Sequence, residues 1–109
     1  MKRLATFIAV YLAALSELPV ALAKDAEHIY LSTCIVCHGD DGTGNMPGVL
    51  DMADSETLFT DSEQSIVARM KSGIQRPDGI AMPPRGGDPT LTDRQLLDVL
   101  RYLKQVVKQ

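Results

Sequence analysis

Three residues of the 109-residue chain carry chemistry at a fixed spacing: Cys34 and Cys37, separated by Ile35 and Val36, and His38 directly after the second thiol. On a helical turn residues three apart lie on one face, so both sulfurs can reach the two vinyl groups on one edge of a porphyrin while His38 falls beneath the metal. The pattern C-x-x-C-H reads as covalent c-type haem attachment, in which thioethers from Cys34 and Cys37 keep one haem in place even when a ligand bond breaks. Two other chemistries use paired thiols. A redox disulfide of the thioredoxin kind needs strands alternating with helices around the motif, and the sequence holds no convincing strand. A zinc site needs about four N or S ligands, and beyond these three residues only His28 remains as a histidine or cysteine.

A second ligand candidate lies far along the chain. Met82 stands in Ala81-Met82-Pro83-Pro84, inside a stretch from Ile74 to Pro89 that prolines and glycines punctuate too closely for a regular element. A thioether on a loop stiffened in this way can approach the iron from the side opposite His38. Methionine commonly just fills core space, so Met46, Met52 and Met70 serve as internal controls, and none of them is followed by a pair of prolines. Pro47 lies nine residues after His38, inside a glycine-rich stretch, Gly39 to Gly48. Its carbonyl could meet the far nitrogen of His38, fixing the ring and raising its basicity; alternatively the proline only stiffens its loop. No lysine follows these glycines and no strand precedes them, so they do not form a phosphate cradle. His28 reads as an exposed histidine.

The elements that must position these residues are helical. Residues 25–34 read as a helix leading into the motif, with Asp25 a candidate N-cap and with Ala26 and Tyr30 on the face shared by Cys34 and Cys37. Val49 to Ala53 forms at most a short turn. A helix is expected from Ser62 to Ser72, with Asp61 at the cap, Gln64 three residues on, a stripe of Ile66, Val67 and Met70, and Gly73 just past its end. Thr92-Asp93-Arg94-Gln95 is a T-x-x-Q capping box before Leu96, Leu97, Leu100, Leu103 and Val107, which recur at helical spacing. That last helix should cross the first, with Tyr102 near Ala26 and Tyr30.

The N-terminus reads as an address. Met1-Lys2-Arg3 is charged, Leu4 to Leu15 is apolar apart from Thr6, and Ala21-Leu22-Ala23 supplies a small-x-small site, the three-part pattern of a secretory signal peptide. Residues 1–23 are therefore expected to be removed, leaving one domain over 24–109. The rival is an uncleaved membrane anchor, since Leu4 to Ala23 has about the length of a spanning helix, though Glu17 and Pro19 interrupt it. The mature chain would have 86 residues, with nine basic and thirteen acidic side chains and a net charge of −4. A domain of this size usually needs a staple beyond its side chains, which a buried haem supplies. From Asp25 to Ala68 there are nine acids and no Lys or Arg, and from Arg69 to Gln109 eight bases and four acids. Nucleic-acid binding wants a concentrated basic face, whereas such a charge dipole suits steered docking to a charged protein.

With Ala26 and Tyr30 before Cys34-Cys37-His38, Pro47 in the loop, a Met-Pro-Pro segment with Gly-Gly from Met82 to Gly87, and a Leu-rich last helix bearing Tyr102, the whole mature chain resembles a small bacterial class I c-type cytochrome. Relatives often have glycine where this chain has Ala26, which should widen the helix crossing slightly. The resemblance implies an all-α cytochrome c fold, three to four helices wrapped around one covalently attached haem c, with His38 and Met82 as axial metal ligands and Pro47 as the carbonyl partner of His38. Tyr30 is expected beside the cofactor. The function that follows is a monomeric, periplasmic one-electron carrier, an electron-transfer protein rather than an enzyme, between a donor dehydrogenase or reductase and an acceptor oxidase or reductase. It would contact no nucleic acid, and no membrane after signal cleavage. Ile80, Ala81 and Pro83 would surround the exposed haem edge, with Arg76 and Arg85 as docking charges. The alternatives are a haem-bearing subunit of a larger oxidoreductase, and a haem enzyme or gas sensor with an open sixth site.

Overall fold

The computed structural model describes residues 25–107. The expected signal segment and its cleavage site after Ala23 lie outside the described residues. Helix α1 occupies residues 25–38, α2 Glu56–Thr60, α3 Glu63–Ser72 and α4 Asp93–Val107, with short 3-10 turns at Met52–Asp54 and Pro84–Gly87. Among the described residues extended pairing is limited to one antiparallel bridge between Ile74 and Met82, so the all-α expectation holds.

Helix α1 is not a uniform α-helix. Between Tyr30 and Cys34 it widens to a π turn, closed by the Ile35 amide donating to the Tyr30 carbonyl five residues back. At that point the Ser32 hydroxyl donates to the carbonyls of His28 (2.8 Å) and Ile29 (3.2 Å), a side-chain competition with the backbone ladder that bends and loosens helices. The α register resumes at Ile35–His38.

α4 starts as its sequence dictates. The Thr92 hydroxyl accepts from the Gln95 amide (3.2 Å) and the Gln95 side chain accepts from the Thr92 amide (2.9 Å), satisfying two amide donors at the helix start reciprocally. Its buried face is Leu96, Val99, Leu100 and Leu103. Val99, absent from the expected stripe, is buried, while Leu97 is only half-buried. α3 is capped by Ser62, whose hydroxyl accepts from the Ser65 amide at 3.1 Å. Asp61, expected in that role, instead pairs with Arg69 at 2.8 Å, because the helix begins one residue later than an aspartate cap would require.

The core joins α1, α2, α3 and α4 through Tyr30, Leu58, Ile66, Val99, Leu100 and Leu103. Ala26 is 3% exposed, and the rings of Tyr30 and Tyr102 meet at 5.4 Å with a 53° tilt, a geometry that aromatic quadrupoles favour. The expected meeting of the first and last helices at these residues is therefore present. On the surface, Arg101 of α4 grips both carboxylate oxygens of Glu63 on α3.

Candidate cofactor site

The cavity at the centre of this arrangement measures about 350 Å³, within the range of pockets that hold small molecules. Cys34, Cys37 and His38 reach it from the end of α1, Leu58 from α2, Ile66 and Met70 from α3, Leu100 and Leu103 from α4, and Ile80 to Pro83 from the loop. Both cysteines are unpaired and half-buried. Burial pushes the Cys34 thiol up to about 11, with the neighbouring Cys37 adding to the effect. A catalytic redox thiol is the opposite, held low in pKa by positive surroundings, so the thioredoxin-like reading finds no support here. Among the described residues no three of His, Cys, Asp and Glu are grouped so as to hold a metal ion by themselves.

The end of α1 is tied down on both sides. The buried Tyr30 hydroxyl donates to the Gly39 carbonyl at 2.5 Å, closing the motif against its own helix. Loop amides then supply donors to carbonyls left over at the helix end: Gly39 to Ile35 (2.8 Å), Gly44 to His38 (2.9 Å) and Asn45 to Cys37 (2.8 Å). Burial lowers the pKa of His38, favouring the neutral imidazole that a metal requires.

Pro47 sits in the loop that follows α1. It is exposed, it does not line the cavity, and its carbonyl makes no bond to His38 Nδ1, which is buried and has no hydrogen-bond partner. The reason is local. The Val49 amide donates to the Met46 carbonyl at 3.2 Å, so Pro47 and Gly48 are the central residues of a tight turn. Gly48 has φ 88°, the left-handed geometry that a type II turn demands after proline. Pro47 thus occupies a tight turn in its loop, and its carbonyl makes no hydrogen bond to the imidazole here.

Met82 lines the cavity on the segment that follows α3, and so do Met52 and Met70. Met46 is exposed, 38% of its surface, and lies outside. Met52 and Met70 pack against the hydrophobic core, whereas Met82 is carried on the loop, its amide and carbonyl both bonded to Ile74 at 2.9 Å. The α3 terminus makes room for this: a Cβ on Gly73, where φ is 81°, would stand 2.8 Å from the Met82 carbonyl, so only glycine fits.

The docking charges divide. Arg76 lines the cavity and has no ion pair or hydrogen bond among the described residues, whereas Arg85 is half-buried and bonded to the Leu91 carbonyl and the Asp93 carboxylate. His28 is exposed and stands apart from the cavity. Sequence reasoning did not place Met52, Met70 or Arg69 on this wall. The helical spacing of Ile66 and Met70 pointed inward, but nothing in sequence says which part of a core surrounds a gap.

The residues fit a covalently held haem. Two thiols, an imidazole and a thioether open into one largely apolar cavity, and the imidazole carries an orphaned nitrogen at its edge. Among the described residues no helix is long and apolar enough to cross a membrane.

The sequence matches the cytochrome c family over residues 23–106. It is similar to the cbb3-type cytochrome c oxidase subunit FixP of Sinorhizobium medicae, 32% identical over 91 residues, which cover 78% of this chain and 30% of the relative. The FixP subunit of Bradyrhizobium diazoefficiens is 33% identical over 70 residues, 61% of this chain and 24% of the relative. The chain thus spans less than a third of the curated relatives it matches. No solved structure is a significant match.

Proposed function

Because this chain belongs to the cytochrome c family and is a small c-type cytochrome bearing covalent haem c in an electron-transfer role, we propose that it is a periplasmic monohaem one-electron carrier between redox proteins. The observation that carries this reading is the convergence of Cys34, Cys37, His38 and Met82 on one apolar cavity. Cys34 and Cys37 would hold the porphyrin through thioethers, and His38 and Met82 would ligate its iron. The haem supplies a one-electron change at iron. The chain's part is to keep both ligands in place during that change, so that little rearranges, and to exclude water with Leu58, Ile66 and Leu100. Burial together with thioether ligation raises the potential. Ile80, Ala81 and Pro83, all exposed where the loop meets the cavity, form the contact face for a donor dehydrogenase or reductase and an acceptor oxidase or reductase. Residues 1–23 act as the export signal, and the mature domain begins at residue 24.

The experiment is a spectroelectrochemical titration of the mature protein made in a host with working cytochrome maturation. It should give a covalently attached haem, a low-spin spectrum with the far-red band of methionine on ferric iron, and a reversible one-electron wave. A colourless product would overturn the reading, and a high-spin ferric form that binds small ligands readily would favour the open-site alternative.

A second reading has support of its own. The relatives are named as subunits of an oxidase, which favours a haem-bearing subunit docked on a larger oxidoreductase. Gel filtration of extract from the native source separates the two, since a carrier elutes as a monomer and a subunit elutes with its complex.

A further inference from the structure

The turn after Met82 contains an anomaly. Arg85 has φ 54° and ψ 31°, and it is the one non-glycine residue with positive φ among those described. Glycine takes this left-handed conformation freely and an L side chain resists it. Gly86 and Gly87 stand directly alongside, yet position 85 carries a long cationic side chain. Its contacts supply the reason. Arg85 Nη1 donates to the Leu91 carbonyl at 2.7 Å, and Nη1 and Nη2 both donate to Asp93 Oδ1 at 3.1 Å. Only 25% of the side chain is exposed. The other oxygen of the same carboxylate, Oδ2, accepts from Lys71 Nζ near the end of α3 at 3.0 Å. One carboxylate at the start of α4 therefore ties down both α3 and the turn.

We propose that Arg85 is a positioning residue for the iron ligand, pinning the Pro84–Gly87 turn to the start of α4 so that the Met82 segment stays closed over the cavity. The inference rests on the reading of Met82 as an axial ligand. Met82 is fixed upstream by its bridge to Ile74 and downstream, three residues on, by the guanidinium. The turn also backs onto α1, where a Cβ on Gly86 would stand 3.3 Å from the Thr33 methyl. The segment is thus clasped at both ends, and swinging Met82 off the iron strains or breaks the Arg85 contacts. A planar fork holds a carbonyl and a carboxylate in one fixed geometry, whereas an ammonium is a point charge on a flexible stem. An external ligand binds only the opened form, so its apparent affinity rises in proportion to the fraction of molecules open.

The test is an imidazole titration of the purified ferric holoprotein, followed by loss of the far-red band, in wild type, Arg85→Gly, Arg85→Gln and Arg85→Lys. Arg85→Gly is decisive because it removes the fork and relieves the backbone at once. The expected result is imidazole affinity at least about tenfold tighter in Arg85→Gly and Arg85→Gln, with Arg85→Lys between them and wild type. Wild-type affinity in both Arg85→Gly and Arg85→Gln would overturn the proposal. A wild-type spectrum without the far-red band, or a Met82→Ala spectrum that keeps it, would overturn the ligand reading itself and the proposal with it.

Discussion

Replacing Tyr30 by phenylalanine removes one oxygen from a side chain that is 1% exposed and deletes the 2.5 Å bond to the Gly39 carbonyl. The ring stays, so its packing on Tyr102 and on Leu100 is kept. What changes is the carbonyl of Gly39, itself in a buried residue, which loses its donor in a place water does not reach. Stranding a buried acceptor costs about 1–3 kcal/mol, whereas removing the whole ring, as in Tyr30→Ala, costs roughly 3–5 kcal/mol. In a domain of this size each kcal/mol moves the melting temperature by about 4–8 °C. The assay is guanidinium unfolding of the ferric holoprotein followed by circular dichroism, and the midpoint should fall with the slope unchanged. The pH dependence sharpens it. Burial raises the Tyr30 pKa above its ordinary 10.0, so below that value the phenol stays protonated in the folded and unfolded chains alike. The loss in Tyr30→Phe should therefore be flat from neutral pH up to about 9 and shrink only beyond 10, where the wild type alone is weakened by the unfolded phenol ionising. A change below ~0.5 kcal/mol at neutral pH would refute the reasoning, because a carbonyl that finds a new donor so cheaply was not buried by this fold.

Met82→Ala should abolish the far-red ferric band while Met52→Leu and Met70→Leu retain it, which separates the loop thioether from the two packed against the core. Leu100→Ala, at a side chain 1% exposed, should cost about 2–5 kcal/mol by thermal unfolding. Asp93 is held below the ordinary carboxylate range by its hydrogen bond from Lys71 first and by Arg85 next. Its contribution is therefore present above the ordinary aspartate value and disappears as pH falls through the lowered one. Melting curves of wild type and Asp93→Asn should differ at pH 6 and converge by about pH 2. Gly73→Ala should lower stability and broaden the far-red band, since its methyl would collide with the Met82 carbonyl.

The attachment motif and the two flanking helices are legible because they are local. C-x-x-C-H needs one helical turn, and the Thr92–Gln95 box needs one helix start, so a few neighbouring residues determine each outcome. Tyr30 and Tyr102 were legible as partners through the expected crossing of the first and last helices beside the small Ala26. For Pro47 the sequence left two outcomes open, since the same dipeptide Pro-Gly can orient an imidazole or make a turn, and the choice depends on where the loop amides find acceptors. The role of Arg85 was also hidden. Its fork is satisfied by a carbonyl six residues on and a carboxylate eight residues on, and to sequence reasoning it looked like a free surface charge. Asp61 failed for a smaller reason, because the serine next to it makes the better cap.

The widened turn in α1 has a structural consequence for the whole helix. An uninterrupted α-helix has a single rotational phase, so the angle at which Ala26 and Tyr30 meet the last helix would dictate the angle at which the thiols and the imidazole emerge. One surplus residue between Tyr30 and Cys34 works like a vernier, dividing the rod into two segments whose azimuths are set separately. The upstream segment can then be fitted to its neighbour's side chains, and the downstream segment aimed at the porphyrin, without either adjustment spoiling the other.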